Sequence, residues 1–247
     1  MTEDEILDRA SMPPGNPSYP FGPYRFVDRQ YFMVIYETDP EAIRAWLPAP
    51  LEPDGSGTVV YEWIDMPDSS GFGSYRESGL VIPAMLEGRP VNYTAMMFLN
   101  DEPPITAGRE IWGFPKRWGE PTLDVRADTL TGTLAYSGER VAMGTMAYKP
   151  ERLECDPEAC VRRLAKTTVN LKLLPCVTGR PLAAQLVAFE MTDIRLKGIW
   201  RGPARLHLVP HVHAPVADLP VRRVVEGQHV IADMTLPYGR VVHDYLA

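Results

Sequence analysis

The sequence predicts an α+β fold dominated by antiparallel strands, in a sheet that closes or curls on itself, with a few helices packed outside. Three observations carry this expectation. Seven segments alternate or run apolar over strand length, most of them bounded by Gly, Pro, Asn or Asp. The 25 prolines are spread from Pro13 to Pro237, so they cut the chain into short elements and leave no obvious linker. Helix signals are few, which disfavours alternating strand–helix units around a parallel sheet. One domain over residues 1–247 is expected.

Taken along the chain, QYFMVIYET (30–38) is the first strand-like run. In DPEAIRAWLPAPL (39–51), Asp39 takes the N-cap, Pro40 the first turn, and Ile43, Trp46 and Leu47 one face, with a stop before Pro48. TVVYEWIDM (58–66) is a strand. DSSGFGSYRESG (68–79) is glycine-rich without a strand-to-helix pattern, so it reads as a turn or active-site loop rather than a phosphate cradle. NYTAMMFLN (92–100), TLTGTLAYS (129–137) and RVAMGTMAY (140–148) are strands. DPEACVRRLA (156–165) repeats the helix-start logic from Asp156, and ARLHLVP (204–210) and GRVVHDYL (239–246) complete the strand set.

With 247 residues, 45% hydrophobic and 23% charged, the chain has the composition of an ordinary globular protein. A net charge of −7 with scattered arginines argues against nucleic acid as partner. No apolar run is long enough to span a membrane, and the acidic start MTEDEILDRASMPP lacks the basic and apolar regions of a signal peptide, so a cytoplasmic location is expected. Cys155, Cys160 and Cys176 show no CxxC spacing and are read as free thiols. The common nucleotide, serine-hydrolase and zincin signatures are absent. His211 and His213 in PHVHAP share a strand face, but the nearest carboxylate in sequence is Asp218, so no metal site is expected.

The most informative stretch is EIWGFPKRWGEP (110–121), where Lys116 sits among Trp112, Phe114 and Trp118. Of 25 basic residues only five are lysines, so a lysine beside an arginine suggests a need that a guanidinium cannot meet. An amine can be deprotonated and turned into a nucleophile; a guanidinium cannot. Locally a second reading stays open, in which the stem rests on Trp112 or Trp118 and the ammonium reaches water.

Beyond this stretch, NPSYPFGPYRFVDRQYFMVIYETDPEAI, GREIWGFPKRWGEPTL, DTLTGTLAY, WRGPARLHL and ADLPVRRVVEGQHVIADMTLPYGRVVHDYL together resemble the acetoacetate decarboxylase family, in one register over nearly the whole length. The resemblance implies a closed or cone-like β-barrel whose interior holds Lys116, a homo-oligomer and no cofactor. It implies that Lys116 forms a Schiff base with a small β-keto acid and that the ketone product and CO2 leave. Activation of such a lysine by desolvation or a cationic neighbour is carried over with the family, which is itself the standard example of that principle. Arg29 in VDRQYF matches an active-site arginine suited to a carboxylate. Glu77 in SYRESG and Glu62 in YEWIDM match pocket glutamates, for which partnership with Arg29 or Arg117 in a buried ion-pair network is the plainer role. Phe114, Met97 and Trp112 are implied as pocket walls.

Two positions depart from the family prototype. Arg117 replaces a second lysine, keeping a positive neighbour that tunes the amine or joins the ion-pair network; on an extended segment the two side chains diverge, which favours burial over that charge as the main influence on the amine. Phe114 replaces a tyrosine, removing a hydroxyl near Lys116. Members of the superfamily that run aldol or dehydration chemistry on keto acids tend to depart around the arginine and glutamates, which are all kept here. That favours decarboxylation, with a lysine-dependent aldolase or dehydratase and a non-catalytic binding module as the alternatives.

Overall fold

The computed structural model describes residues 1–154 and 156–247. Among the described residues, sixteen strands and four α-helices follow in chain order: α1 (Glu3–Leu7), β1 (Tyr24–Glu37), α2 (Pro40–Trp46), β2 (Glu52–Pro53), β3 (Thr58–Ser69), β4 (Gly73–Leu86) and β5 (Arg89–Leu99). Next come α3 (Glu102–Ala107), a π-helical turn over Gly108–Trp112, β6 (Lys116–Trp118), β7 (Glu120–Arg126), β8 (Thr129–Tyr136), β9 (Glu139–Ala147) and β10 (Glu151–Arg152). The chain ends with α4 (Pro157–Leu164), β11 (Thr168–Pro175), β12 (Pro181–Phe189), β13 (Thr192–Gly202), β14 (Ala204–Leu208), a 3₁₀ turn over Val216–Asp218, β15 (Arg223–Leu236) and β16 (Arg240–Asp244). No helix of the described residues is long and apolar enough to cross a membrane.

All seven strand-like runs are strands, and the two helix starts fall at Asp39 and Asp156 as their cap and proline signals require. Only Asp156 caps through its side chain, accepting from the amides of Glu158 and Ala159; Asp39 makes no such bond because its carboxylate pairs with Arg222. The segment 68–79 is a correction. Its turn is confined to the middle, and Gly73 onward belongs to β4, which pairs with β3 on one side and β5 on the other. Glu77 therefore sits on a central strand and not on a loop.

The larger sheet runs β10-β13-β15-β1-β3-β4-β5-β11-β12-β16, with β2 pairing β4 and β6 pairing β5. Its ladders are antiparallel except β5–β11 and β5–β6. Among the described residues no ladder joins β10 to β16, so the expected closed barrel is not formed by hydrogen bonding. β10 is two charged, exposed residues, Glu151 and Arg152, a short edge of the kind that resists further pairing. The second sheet, β14-β9-β8-β7, packs against the first, with Trp63 of β3 lying on Gly132 of β8 and Gly144 of β9, which are paired with each other. A Cβ at either glycine would collide with the indole, so these two positions let the sheets approach closely.

The cysteine reading needs one correction: Cys160 is disulfide-bonded. Cys176 is free, and Cys155 lies outside the described residues.

Candidate active site

Strand periodicity splits the residues of β1, β3 and β4 between two faces. Phe32, Val34, Val59, Tyr61, Leu80 and Ile82 are fully buried in the main core. The alternate residues, among them Tyr31, Met33, Glu62 and Glu77, line a cavity of about 360 Å³. Lys116 is delivered to the same cavity by β6, which pairs with β5 so that Lys116 lies beside Met97.

The approach to Lys116 is built by the π-helical turn. Its carbonyl at Gly108 accepts from the Phe114 amide at 2.9 Å, and Arg109 Nη1 donates to the Lys116 carbonyl at 3.1 Å. Gly113 ends the turn in the left-handed region at φ 73°, pressed against the backbone of Lys172. Asn170 Nδ2 donates to the Trp112 carbonyl at 3.3 Å and Lys172 Nζ to the Ile111 carbonyl at 3.3 Å, so β11 clamps the turn from outside. The lysine stem runs over Gly108: a Cβ there would lie 2.6 Å from Lys116 Cδ and 2.9 Å from Cε.

Lys116 is 6% exposed and its Nζ lies 2.6 Å from Glu77 Oε1, which is on β4, the strand on the far side of β5. The separation is that of a close ion pair between two buried groups. The rings of Phe114 and Tyr75 stand 5.1 and 5.9 Å from the nitrogen. Burial lowers the pKa of the Lys116 amine, the charge of Glu77 opposes that shift, and Arg29 reinforces it. Arg29 is sandwiched between the rings of Phe26 and Tyr31, 4.8 and 4.7 Å from its guanidinium carbon, with its buried Nε unpartnered. No carboxylate of the described residues lies within ion-pair distance of it. Glu62 is 8% exposed, and burial pushes its carboxyl up to about 7 against the opposing pull of Arg29.

Lys116, Glu77, Glu62, Arg29, Phe114 and Met97 thus share one cavity, and three expected neighbours of the lysine do not line it. Trp112 is buried behind Phe114, at a ring separation of 6.4 Å, where its indole donates to the Pro237 carbonyl and stacks on Tyr238. Arg117 is exposed; it donates to the His213 carbonyl at 2.9 Å and to the Tyr136 hydroxyl at 3.1 Å. Successive strand residues face opposite ways, so the guanidinium leaves on the side away from the amine. That rules out Arg117 as a partner of Glu62 or Glu77 and places the ion pair on Lys116 instead. Trp118, likewise expected around the lysine, is exposed on the surface. Tyr31, Tyr75 and Gly108 were not anticipated. Alternation would have pointed to the first two, since Tyr31 lies two residues from Arg29 and Tyr75 two from Glu77. His211 and His213 ring Tyr136 on the surface, and no metal-holding cluster occurs among the described residues.

A buried, ion-paired amine and a guanidinium without an ion-pair partner thus lie inside one largely apolar chamber. Residues 10–246 match the family model described as acetoacetate decarboxylase. A curated relative from Acidiphilium cryptum (strain JF-5), named acetoacetate decarboxylase, is 53% identical over 96% of each chain. A solved acetoacetate decarboxylase structure superposes with a TM-score of 0.96 at 41% identity, covering 100% of both chains. The crystal structure of acetoacetate decarboxylase from Legionella pneumophila gives a TM-score of 0.91 at 45% identity over 98% of this chain and 96% of that one. The chain belongs to the acetoacetate decarboxylase family and is an enzyme of the carboxy-lyase type.

Proposed function

We propose that this enzyme decarboxylates acetoacetate or a related small β-keto acid through an imine on Lys116. The observation that carries the reading is the pairing of Lys116 with Glu77 at 2.6 Å in the cavity that also holds the unpaired Arg29. The amine, its pKa lowered by burial, adds to the ketone carbon, and loss of water leaves a protonated imine. The bond to the carboxylate carbon then breaks, its electron pair forms the carbon–carbon double bond of an enamine while the C=N π pair moves to the iminium nitrogen, and CO2 departs. A proton added to the enamine carbon restores the imine, which water hydrolyses to the ketone and the free lysine.

Arg29 receives the substrate carboxylate, a task for which a guanidinium without an ion-pair partner is free. Glu77 takes up the ammonium proton and holds the nitrogen in place. Glu62, which titrates near neutrality inside the chamber, is suited to exchange the proton that the enamine takes up. The same reading carries the expectation of a homo-oligomer, which a mass measurement in solution would check.

The test is CO2 release from acetoacetate, together with borohydride trapping of the imine. Lys116→Ala and Lys116→Arg should each abolish turnover and the covalent adduct, because neither side chain can form an imine. Substantial turnover in either variant would overturn the assignment. An adduct without CO2 would move the reaction to aldol or dehydration chemistry, and no adduct would leave a binding module. Arg29→Ala should raise KM for acetoacetate.

A further inference from the structure

The cavity continues well past the charged cluster, and its continuation is built in rungs by strand register. Ile35 faces Val60 and Val60 faces Val81, one step beyond the rung where Met33 faces Glu62. Pro83 follows Val81 on the same face of β4. All four aliphatic side chains, Ile35, Val60, Val81 and Pro83, are half-buried, although the alternate residues of their strands are fully buried in the core. From Glu62 to Thr58, the last cavity residue of β3, the trough spans four residues, or about 13 Å of strand. Among the described lining residues beyond the cluster, charge returns at the exposed Arg163 and the half-buried Lys166.

We propose that this trough is an acyl site and that the preferred substrates are 3-oxo acids whose apolar chain continues several carbons beyond acetoacetate. The inference rests on the imine reading above. Two observations support it. First, about 360 Å³ is the size of a pocket for drug-sized ligands, whereas acetoacetate has seven heavy atoms and would leave most of the space to water. Second, cavity residues follow each other along β1 in the order Arg29, Tyr31, Met33, Ile35. A carboxylate held at Arg29, with its ketone carbon on Lys116, directs the rest of the substrate along β1 toward Ile35, Val60 and Val81. The aliphatic walls of Ile35, Val60, Val81 and Pro83 match an alkyl chain, and the polar lining residues that border them, Thr58, Thr94 and Asn92, carry no charge.

The experiment measures kcat/KM for acetoacetate, 3-oxopentanoate, 3-oxohexanoate and 3-oxooctanoate by CO2 release, corrected for spontaneous decarboxylation. The expected result is a rise of about fourfold for each of the first added methylenes, the transfer value of one buried CH2. A value that is level or falls from acetoacetate onward overturns the acyl site. Val60→Phe and Val81→Phe fill the trough and should lower the ratio of kcat/KM for 3-oxohexanoate to that for acetoacetate at least tenfold. The ratio is taken within each variant, so incomplete folding cancels, and an unchanged ratio in both variants also overturns the proposal. Lys116-dependent turnover of acetoacetate without a chain-length gain sinks the acyl site alone. Absence of turnover with every 3-oxo acid sinks the imine decarboxylase reading and the acyl site together.

Discussion

Lys116 Nζ lies 2.6 Å from Glu77 Oε1, and the two residues are 6% and 3% exposed. The pair carries two opposed influences on one amine. Burial favours the neutral form that attacks a carbonyl, while the carboxylate favours the charged form that cannot. Glu77→Gln keeps the shape and removes the charge. It should move the acidic limb of the pH profile for adduct formation to lower pH, since the influence raising the amine pKa is gone. The chemical step should slow more than KM changes, because the proton acceptor beside the nitrogen is lost. An acidic limb that stays in place or moves upward would show that Glu77 does not govern the lysine.

Gly108 positions the same amine from below. A methyl group there would lie 2.6 Å from Lys116 Cδ and 3.2 Å from Nζ, closer than packed atoms tolerate, so Gly108→Ala must displace the lysine stem. A displacement of about 1 Å at a reacting group is enough for losses on the order of a hundredfold. The expected outcome is at least a tenfold slower borohydride-trapped adduct in protein that still melts cooperatively. An adduct rate equal to that of the parent enzyme would show that the turn yields and does not set the geometry.

These two neighbours of Lys116 mark where the sequence was legible and where it was not. The lysine drew attention through its aromatic neighbours and the scarcity of lysines, but those facts left a surface role open, and its place in a site followed from the resemblance over nearly the whole chain. The seven strands and the starts at Asp39 and Asp156 were legible, since they depend on alternation and on caps within a few residues. The partnership with Glu77 is not local: it needs β6 to lie beside β5 and β5 beside β4, which strand patterns alone do not fix. Gly108 gave no signal, since a glycine excluded by a side chain eight residues later looks like any other. Trp112 and Trp118 misled because adjacency in sequence was taken as adjacency in space, and a π-turn followed by a short strand sends them in different directions; strand alternation, by contrast, already implied that Arg117 turns away from Lys116.

Glu62 links the site to folding. Its carboxyl titrates at about 7 in the folded protein against 4.5 as an ordinary glutamate, because burial penalises the charge. Between those values the folded state holds a proton that the unfolded state has released, so this group's contribution to stability falls as pH rises through that window. Each pH unit crossed weakens the fold by about 1.4 kcal/mol at most. Glu62→Gln should flatten the dependence of unfolding free energy on pH between about 5 and 7. An unchanged slope in denaturant titrations across that range would mean that Glu62 is ionised in the native protein.

Arg117 offers the cleanest separation of burial from charge in tuning the lysine. Two mechanisms could depress an amine pKa here, desolvation and a cation next in sequence, and they predict different behaviour in Arg117→Ala. The guanidinium is exposed, bonded to the His213 carbonyl and the Tyr136 hydroxyl, and 5.6 Å above the Tyr136 ring. In that position its field at Lys116 is screened by water, whereas the lysine is buried among Phe114, Tyr75 and the stem contact at Gly108. Arg117→Ala should therefore leave the acidic limb of kcat/KM nearly unmoved, while the loss of its surface contacts costs stability of about 1 kcal/mol or less. Arg117→Lys should behave the same way. If tuning came from the neighbouring cation, Arg117→Ala would instead raise the acidic limb, since removing a positive charge stabilises the protonated amine. The deciding measurement is the pH dependence of adduct formation on Lys116 in both variants. An upward shift of a full pH unit in folded Arg117→Ala would assign the tuning to charge and not to burial.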